Sequence, residues 1–251
     1  MEEVLELAGK VALVTGGSRG IGAAIARRLA RRGARVIVNY LEDEARVNRA
    51  DAERLAAEIK AAALIAADVG DDAMVLAMFD KITLDFGSLD ILINNAGILR
   101  DRTIKKMTDY EWESVLRVNL SGAFHCIHHA IPLLRPASRI VNISSVNALV
   151  GLFGTANYAS AKAGLLALTK TAARELARDG TTVNAVAPGF VATEMTRGMP
   201  AEVTQNLLKQ IPLARMAGVD DIAHAVAFLC SPESGYITGQ VLHVNGGYLM
   251  E

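Results

Sequence analysis

Val11-Ala12-Leu13-Val14-Thr15-Gly16-Gly17-Ser18-Arg19-Gly20-Ile21-Gly22-Ala23-Ala24-Ile25 decides how this 251-residue chain folds. The opening run of apolar residues predicts a strand covered on both faces, and such strands belong to parallel sheets wrapped by helices. The glycines that follow permit a tight turn with close backbone approach, and helical periodicity begins at Gly20. Free N–H groups at that helix start form an anion site. A second reading of the same letters is the Gly-x-Ser-x-Gly elbow of a nucleophilic serine, Ser18, with His224 or His243 as its base; such an elbow is expected on a later, central strand.

The pattern repeats outward along the chain. Strands are predicted at 11–15, 35–39, 64–67, 91–94, 139–143, 182–187 and 241–244, and helices at 20–32, 50–60, 72–86, 109–131, 156–179 and from about 201 and 220. Alternation of this kind predicts an α/β chain, with seven parallel strands in one doubly wound sheet and helices on both faces. No linker, repeat or low-complexity tract divides it, so 1–251 reads as a single domain.

Composition narrows the partners. A chain that is 51% hydrophobic is neither disordered nor collagen-like, and 26 basic against 27 acidic residues, interspersed, leave no basic block for nucleic acid. Cys126 and Cys230 lie in no paired spacing, which fits a reducing compartment, and the acidic start Met1-Glu2-Glu3 lacks a signal peptide's basic and apolar regions. The cytoplasm is therefore expected. An uncharged run of 22 residues between Arg139 and Lys162 is interrupted by Asn142, Ser144, Ser145, Asn147, Gly151, Gly154 and Asn157, and reads as strand, loop and helix rather than a membrane span.

Tyr158 and Lys162 are four apart in a helical segment and share one face, and Ser145 stands thirteen residues before the tyrosine, just past the strand Ile140-Val141-Asn142-Ile143. An ammonium near a phenol favours the phenolate, so Lys162 is expected to lower the Tyr158 pKa from about 10. Ser145, Tyr158 and Lys162, behind Thr15-Gly16-x-x-x-Gly20-x-Gly22, reproduce the pattern of the short-chain dehydrogenases/reductases, and the chain is identified as resembling that family over nearly its whole length. Asn119 in Val118-Asn119-Leu120-Ser121-Gly122 matches the family's fourth catalytic position. Asp68-Val69, Asn94-Asn95-Ala96-Gly97 and Pro188-Gly189 match its further signatures.

The resemblance implies a Rossmann-type fold, with a cofactor half over about 1–145 and a catalytic and substrate half over about 145–251. It also implies a nicotinamide cofactor, with Tyr158 as proton donor, Ser145 on the substrate oxygen, Lys162 on the nicotinamide ribose and Asn119 in a proton relay. Cofactor contacts are expected from Gly16, Ser18, Arg19, Gly20, Ile21 and Gly22, then from Asn39, Tyr40, Asp68, Val69, Asn95, Ala96 and Gly97. Tyr158, Lys162, Pro188, Gly189, Val191 and Thr193 complete that set. The second strand ends in Asn39-Tyr40 with no carboxylate to repel a 2′-phosphate, and Arg19 offers a guanidinium, so NADP(H) is favoured over NAD(H).

Within the family the chain is most similar to reductases of 3-oxoacyl thioesters on acyl-carrier protein in fatty acid synthesis. It departs from them at Thr155, where a glutamine is usual, and at Asp179, where a carrier-docking arginine is usual; Arg135 and Arg178 lie nearby. Ser144-Ser145-Val146-Asn147 resembles acetoacetyl-CoA reductases instead. Sugar or alcohol dehydrogenases, and a non-catalytic NADP(H) sensor, remain alternatives. Residues 163–173 are apolar around most of their helix, with only Lys170 charged, so a homotetramer paired through its outer face is expected. A lid is expected over 195–208, with Met195 and Met199 against an acyl chain. His125, His128 and His129 read as packing or interface residues, and no metal is expected.

Overall fold

The computed structural model describes residues 5–194 and 201–250, and within helix α8 it leaves the side chains of residues 201 and 203 undescribed. Among these residues seven parallel strands form one sheet, in the order β3-β2-β1-β4-β5-β6-β7. They are β1 (Val11–Val14), β2 (Arg35–Tyr40), β3 (Ala63–Ala66), β4 (Leu89–Asn94), β5 (Leu134–Ile143), β6 (Thr182–Pro188) and β7 (Val241–Val244). The helices are α1 (Gly20–Arg31), α2 (Val47–Ile59), α3 (Asp72–Phe86), α4 (Asp109–Leu116), α5 (Gly122–Ala130), α6 (Asn147–Val150), α7 (Ala156–Leu176), α8 (Ala201–Leu208) and α9 (Val219–Cys230).

Strand periodicity divides the core. Ala12 and Val14 pack with α1 and α9 on one face, through Ile25, Leu29, Ile222 and Val226. Val11 and Leu13 pack on the other face with α3, α5 and α7, through Val75, Phe79, Ile127 and Ala173. The chain runs outward from β1 to β3, then crosses back to place β4 on the other side of β1. This reversal opens a crevice at the carboxyl ends of β1 and β4, where ligands of such sheets bind.

Three elements differ from their sequence patterns. The helix expected over 109–131 is broken by a π-helical turn, Arg117–Ser121, between α4 and α5. Such a turn adds one residue to the spiral, a change too small for periodicity to show. β5 begins at Leu134, five residues earlier than expected, because its first half is exposed, carries Pro136 and holds Ala137 at φ 62°. The short α6 lies in what reads as loop. No described helix is long and apolar enough to cross a membrane.

Candidate active site

A cleft of about 1120 Å³ opens where β1, β4, β5 and β6 end. Its first wall is the turn between β1 and α1, and the need for glycine there is steric. A Cβ on Gly22 would lie 2.4 Å from the Gly16 carbonyl oxygen and 2.5 Å from Asn95 Nδ2; Gly16 itself has φ +57°, and a Cβ there would meet Ala96 Cα at 2.8 Å. Polar side chains then lock the turn. Asn95 Nδ2 donates to the Thr15 and Gly16 carbonyls, each at 3.0 Å, and the Asn95 and Ala96 N–H groups donate to Thr15 Oγ1 at 3.0 and 3.1 Å. Asn39 Oδ1 accepts from the Gly16 N–H at 3.2 Å, while its Nδ2 reaches the Ile65 and Ala67 carbonyls. Asn39 and Asn95 thus serve the cleft chiefly by holding its backbone.

α1 starts at this wall with no side-chain cap and no acidic residue in its first turn. A helix start left in that condition favours an anion. Arg19 stands beside it, half exposed, with Nη1 3.7 Å from Glu194 Oε2. Among the described residues no carboxylate lies at the cleft end of β2: Glu42 accepts from the Tyr40 hydroxyl at 3.3 Å, sits 3.7 Å from Arg49, and is absent from the cleft lining. The donor set and the glycine cradle therefore fit a dinucleotide carrying a 2′-phosphate.

Most of the expected residues meet in this cleft. Ser18, Arg19, Gly20 and Ile21 line it at one side, and Asp68, Val69, Ala96 and Gly97 at the floor. Pro188, Gly189, Val191 and Thr193 line it beyond β6, and Ser145, Tyr158 and Lys162 face them. Two residues do not line it. Tyr40 is buried, because strand alternation turns it away from the crevice that Asn39 faces. Asn119 lies behind the floor, sharing a chamber of about 10 Å³ with Lys162. The Ser18 elbow finds no histidine among the described residues lining the cleft. Of the expected lid, residues 195–200 (Met195, Gly198, Met199 and Pro200 included) lie outside the described residues, and 201–208 form α8.

The π-helical turn places Asn119. Its Oδ1 accepts from the Ile98 N–H at 2.8 Å and its Nδ2 donates to the Ile98 carbonyl at 3.0 Å. Both Asn119 and Lys162 approach Gly97, where a Cβ would meet Asn119 Oδ1 at 3.4 Å and Lys162 Nζ at 3.6 Å. Lys162 is buried; its Nζ donates to the Ile143 carbonyl at 2.8 Å and sits 5.7 Å from the Tyr158 ring centroid.

One electrostatic expectation is corrected. Burial pushes the Tyr158 phenol up to about 12, against the pull of a hydrogen bond from Ser145, and the Asp101 carboxylate raises it further. The Lys162 ammonium, held on the Ile143 carbonyl and 5.7 Å from the phenol ring centroid, does not outweigh that burial, and its own burial brings it down to about 8. At neutral pH Tyr158 is a phenol and Lys162 carries its charge.

Four contributors escaped the sequence reading as site residues. Thr15 ties β1 to the end of β4, Asn147 and Thr155 bond to each other beside Ser145, and Asp101 lines the cleft. The Thr-Gly spacing was the available signal for Thr15. The histidines are occupied in packing: His129 Nε2 meets Asp72 at 2.8 Å, His125 Nδ1 meets the Val69 carbonyl at 3.2 Å, and His128 stacks on Phe124.

A family model described as Enoyl-(Acyl carrier protein) reductase matches residues 16–249. The 3-oxoacyl-[acyl-carrier-protein] reductase of Staphylococcus aureus is 50% identical over 247 residues, covering 96% of this chain and 98% of its own. That of Escherichia coli is 46% identical over 244 residues, covering 96% and 98%. A blue fluorescent protein from a metagenomic library, solved in complex with NADPH, superimposes with TM-score 0.92 at 36% identity over 98% of this chain and 100% of that one. A Serratia marcescens short-chain dehydrogenase/reductase, solved as a double mutant, gives TM-score 0.90 at 38% identity over 97% and 99%. With the glycine turn, the crevice and the Ser145, Tyr158 and Lys162 side chains all in place, the chain belongs to the short-chain dehydrogenase/reductase family.

Proposed function

We propose that the chain reduces the 3-oxo group of an acyl thioester to a 3-hydroxyl with NADPH, as in fatty acid synthesis. The observation that carries this reading is the meeting of Ser145, Tyr158 and Lys162 across one cleft from an uncapped helix start and Arg19. Half-identity to 3-oxoacyl-[acyl-carrier-protein] reductases supports the substrate class.

NADPH, when bound, supplies the hydride. The backbone around Gly16, Ser18, Gly20, Ile21 and Gly22 would hold its pyrophosphate, and Arg19 its 2′-phosphate. Asp68 and Val69 belong to the adenine end, and Asn95, Ala96, Gly97, Pro188, Gly189, Val191 and Thr193 to the remainder. Tyr158 donates its proton to the carbonyl oxygen as negative charge gathers there, a step for which a phenol protonated at neutral pH is already prepared. Ser145 donates a hydrogen bond to the same oxygen and stabilises the alkoxide-like charge. The Lys162 ammonium favours the phenolate left behind. Asn119 and Lys162, around a chamber at the lower limit of the room one water needs, return a proton toward Tyr158. Most of the cofactor contacts then fall in the half over 1–145 and most of the chemistry in the half over 145–251, with Asn119 and Pro188, Gly189, Val191 and Thr193 crossing that division.

Acyl-carrier protein is one carrier and coenzyme A another. Arg135, at the start of β5, and Arg178, in the turn before β6, are exposed at the strand ends opposite the cleft. A cytoplasmic setting suits the two buried thiols. A homotetramer is favoured by small exposed residues on α7, Ser160, Ala163, Ala167 and Thr171, beside the half-exposed Phe124 of α5; light scattering that found only monomer at micromolar concentration would remove it. The deciding assay offers acetoacetyl-CoA, the same acyl group on acyl-carrier protein, and a polyol panel. Oxidation of NADPH by either thioester is expected. Turnover of a polyol alone would overturn the reading in favour of a sugar or alcohol dehydrogenase.

A further inference from the structure

Thr155 opens α7 but does not cap it. A threonine at that position ordinarily turns its hydroxyl onto a backbone N–H of the first helical turn. Here the Asn157 carboxamide oxygen accepts from the Tyr158 N–H at 2.8 Å, and Thr155 is used elsewhere. The Leu152 N–H donates to Asn147 Oδ1 at 2.7 Å, Asn147 Nδ2 donates to Thr155 Oγ1 at 2.9 Å, and Thr155 Oγ1 donates to the Leu152 carbonyl at 2.7 Å. These three bonds close a ring running in one direction, so each strengthens the next. Asn147 and Thr155 are buried, at 5% and 8% exposure, which makes an unpaired member costly. The ring is also braced from outside, since the Gly154 carbonyl accepts from the Arg102 N–H at 2.7 Å.

The ring ends at Ser145. The Asn147 backbone N–H donates to Ser145 Oγ at 3.1 Å. A hydroxyl has one proton and two lone pairs; with one lone pair taken from behind, the proton is left for an acceptor in the cleft. We propose that Asn147 and Thr155 are positioning residues for Ser145: their ring holds the Asn147 N–H against Ser145 Oγ, so that the serine proton faces the substrate carbonyl oxygen that Tyr158 protonates. This rests on the reductase reading above, and it assigns a use to the threonine that replaces the glutamine usual in similar reductases. A local rule broken at a functional site is where such a use is found.

Thr155→Val keeps the shape of the side chain and leaves Asn147 Nδ2 without its acceptor. Expected is a roughly tenfold fall in kcat, about 1.4 kcal/mol of transition-state stabilisation, with KM for acetoacetyl-CoA within about threefold and NADPH affinity unchanged. Thr155→Ser restores the hydroxyl and recovers most of the rate. Crystal structures of both variants read the serine without any substrate: Ser145 Oγ leaves the Asn147 N–H in the valine variant and keeps it in the serine variant. An undisplaced Ser145 with wild-type kcat in Thr155→Val, or a Thr155→Ser as impaired as the valine variant, overturns the proposal. If Thr155→Val does not fold, Asn147→Ala is read the same way. Should the wild type reduce no 3-oxoacyl thioester, the reductase reading falls, and the position of Ser145 in the variant crystals alone then upholds or overturns the ring's role.

Discussion

Around the glycine turn the cleft is shaped by backbone, whereas around Ser145 and Tyr158 it is shaped by side chains bonded to one another. On the first side Gly16 and Gly22 are dictated by van der Waals limits, and Asn39, Asn95 and Thr15 bond to main-chain groups. On the second, Asn147 bonds Thr155, Asn157 ties α7 to the Arg100 and Glu111 carbonyls, and a buried chain of amides links Asn94 to Asn142 and Asn142 to Thr169. A backbone-built wall accepts any ligand with the right charge and shape. Side-chain networks hold reacting groups to a fraction of an ångström, and they fail one partner at a time.

Substitutions should separate the two sides. The largest effect is expected from Tyr158→Phe, which removes the proton donor and leaves the glycine wall intact: kcat falls about a thousandfold, in the range for general acid catalysis, while NADPH titrates as in the wild type. Activity within tenfold of wild type would sink the role given to Tyr158. Gly22→Ala tests the other side. With a backbone oxygen 2.4 Å from the new methyl, the turn must shift, and NADPH and NADH binding should weaken together by about a hundredfold, with a loss of thermal stability as well. Equal affinity in a titration calorimeter would show that backbone shape is not what holds the cofactor.

Arg19→Ala sharpens the comparison, because it removes the one charged side chain the backbone wall uses. A charge-assisted bond to a 2′-phosphate is worth about 1.5–3 kcal/mol, so the NADPH dissociation constant should rise roughly ten- to a hundredfold and that of NADH hardly at all. A parallel loss for both cofactors would place the discrimination elsewhere.

How much of this was legible depends on the same contrast. Glycines at 16, 20 and 22 and the β-branched strands carry their reasons in residue type, and all seven expected strands are present, with β5 alone beginning well before its expected start. What sequence could not show were pairings between residues with no period in common: Asn39 with Gly16, Asn147 with Thr155, Asn119 with Ile98. The π turn that aims Asn119 lies inside a pattern reading as one continuous helix. Tyr158 likewise reads as a phenol lowered by its lysine, and only the burial of both groups and the aim of Lys162 Nζ toward Ile143 reverse that sign.

The smallest expected effect is on stability. Burial depresses the Lys162 pKa to about 8 from 10.5, so the unfolded chain holds that proton more tightly than the folded one. The penalty is full below pH about 8 and lifts as pH rises from there toward the unfolded value. Lys162→Met should therefore abolish turnover yet raise Tm by a few degrees at pH 7, a gain that shrinks when the melt is repeated near pH 10. The same ionisation predicts that wild-type kcat for reduction holds up to pH about 8 and falls above it, as the charge that favours the Tyr158 phenolate is lost. A rate that climbs through that interval would contradict this use of Lys162.

Hydride from NADPH is expected to reach C3 of a 3-oxoacyl thioester in this cleft while Tyr158 protonates the oxygen. Supplying acetoacetyl-CoA with NADPH carrying deuterium at both C4 positions, and weighing the product by mass spectrometry, tests it directly. One deuterium is expected at C3 of the 3-hydroxybutyryl thioester with the wild type and unreacted substrate with Tyr158→Phe; absence of labelled product from the wild type, with the thioester on coenzyme A and on acyl-carrier protein alike, would overturn the transfer.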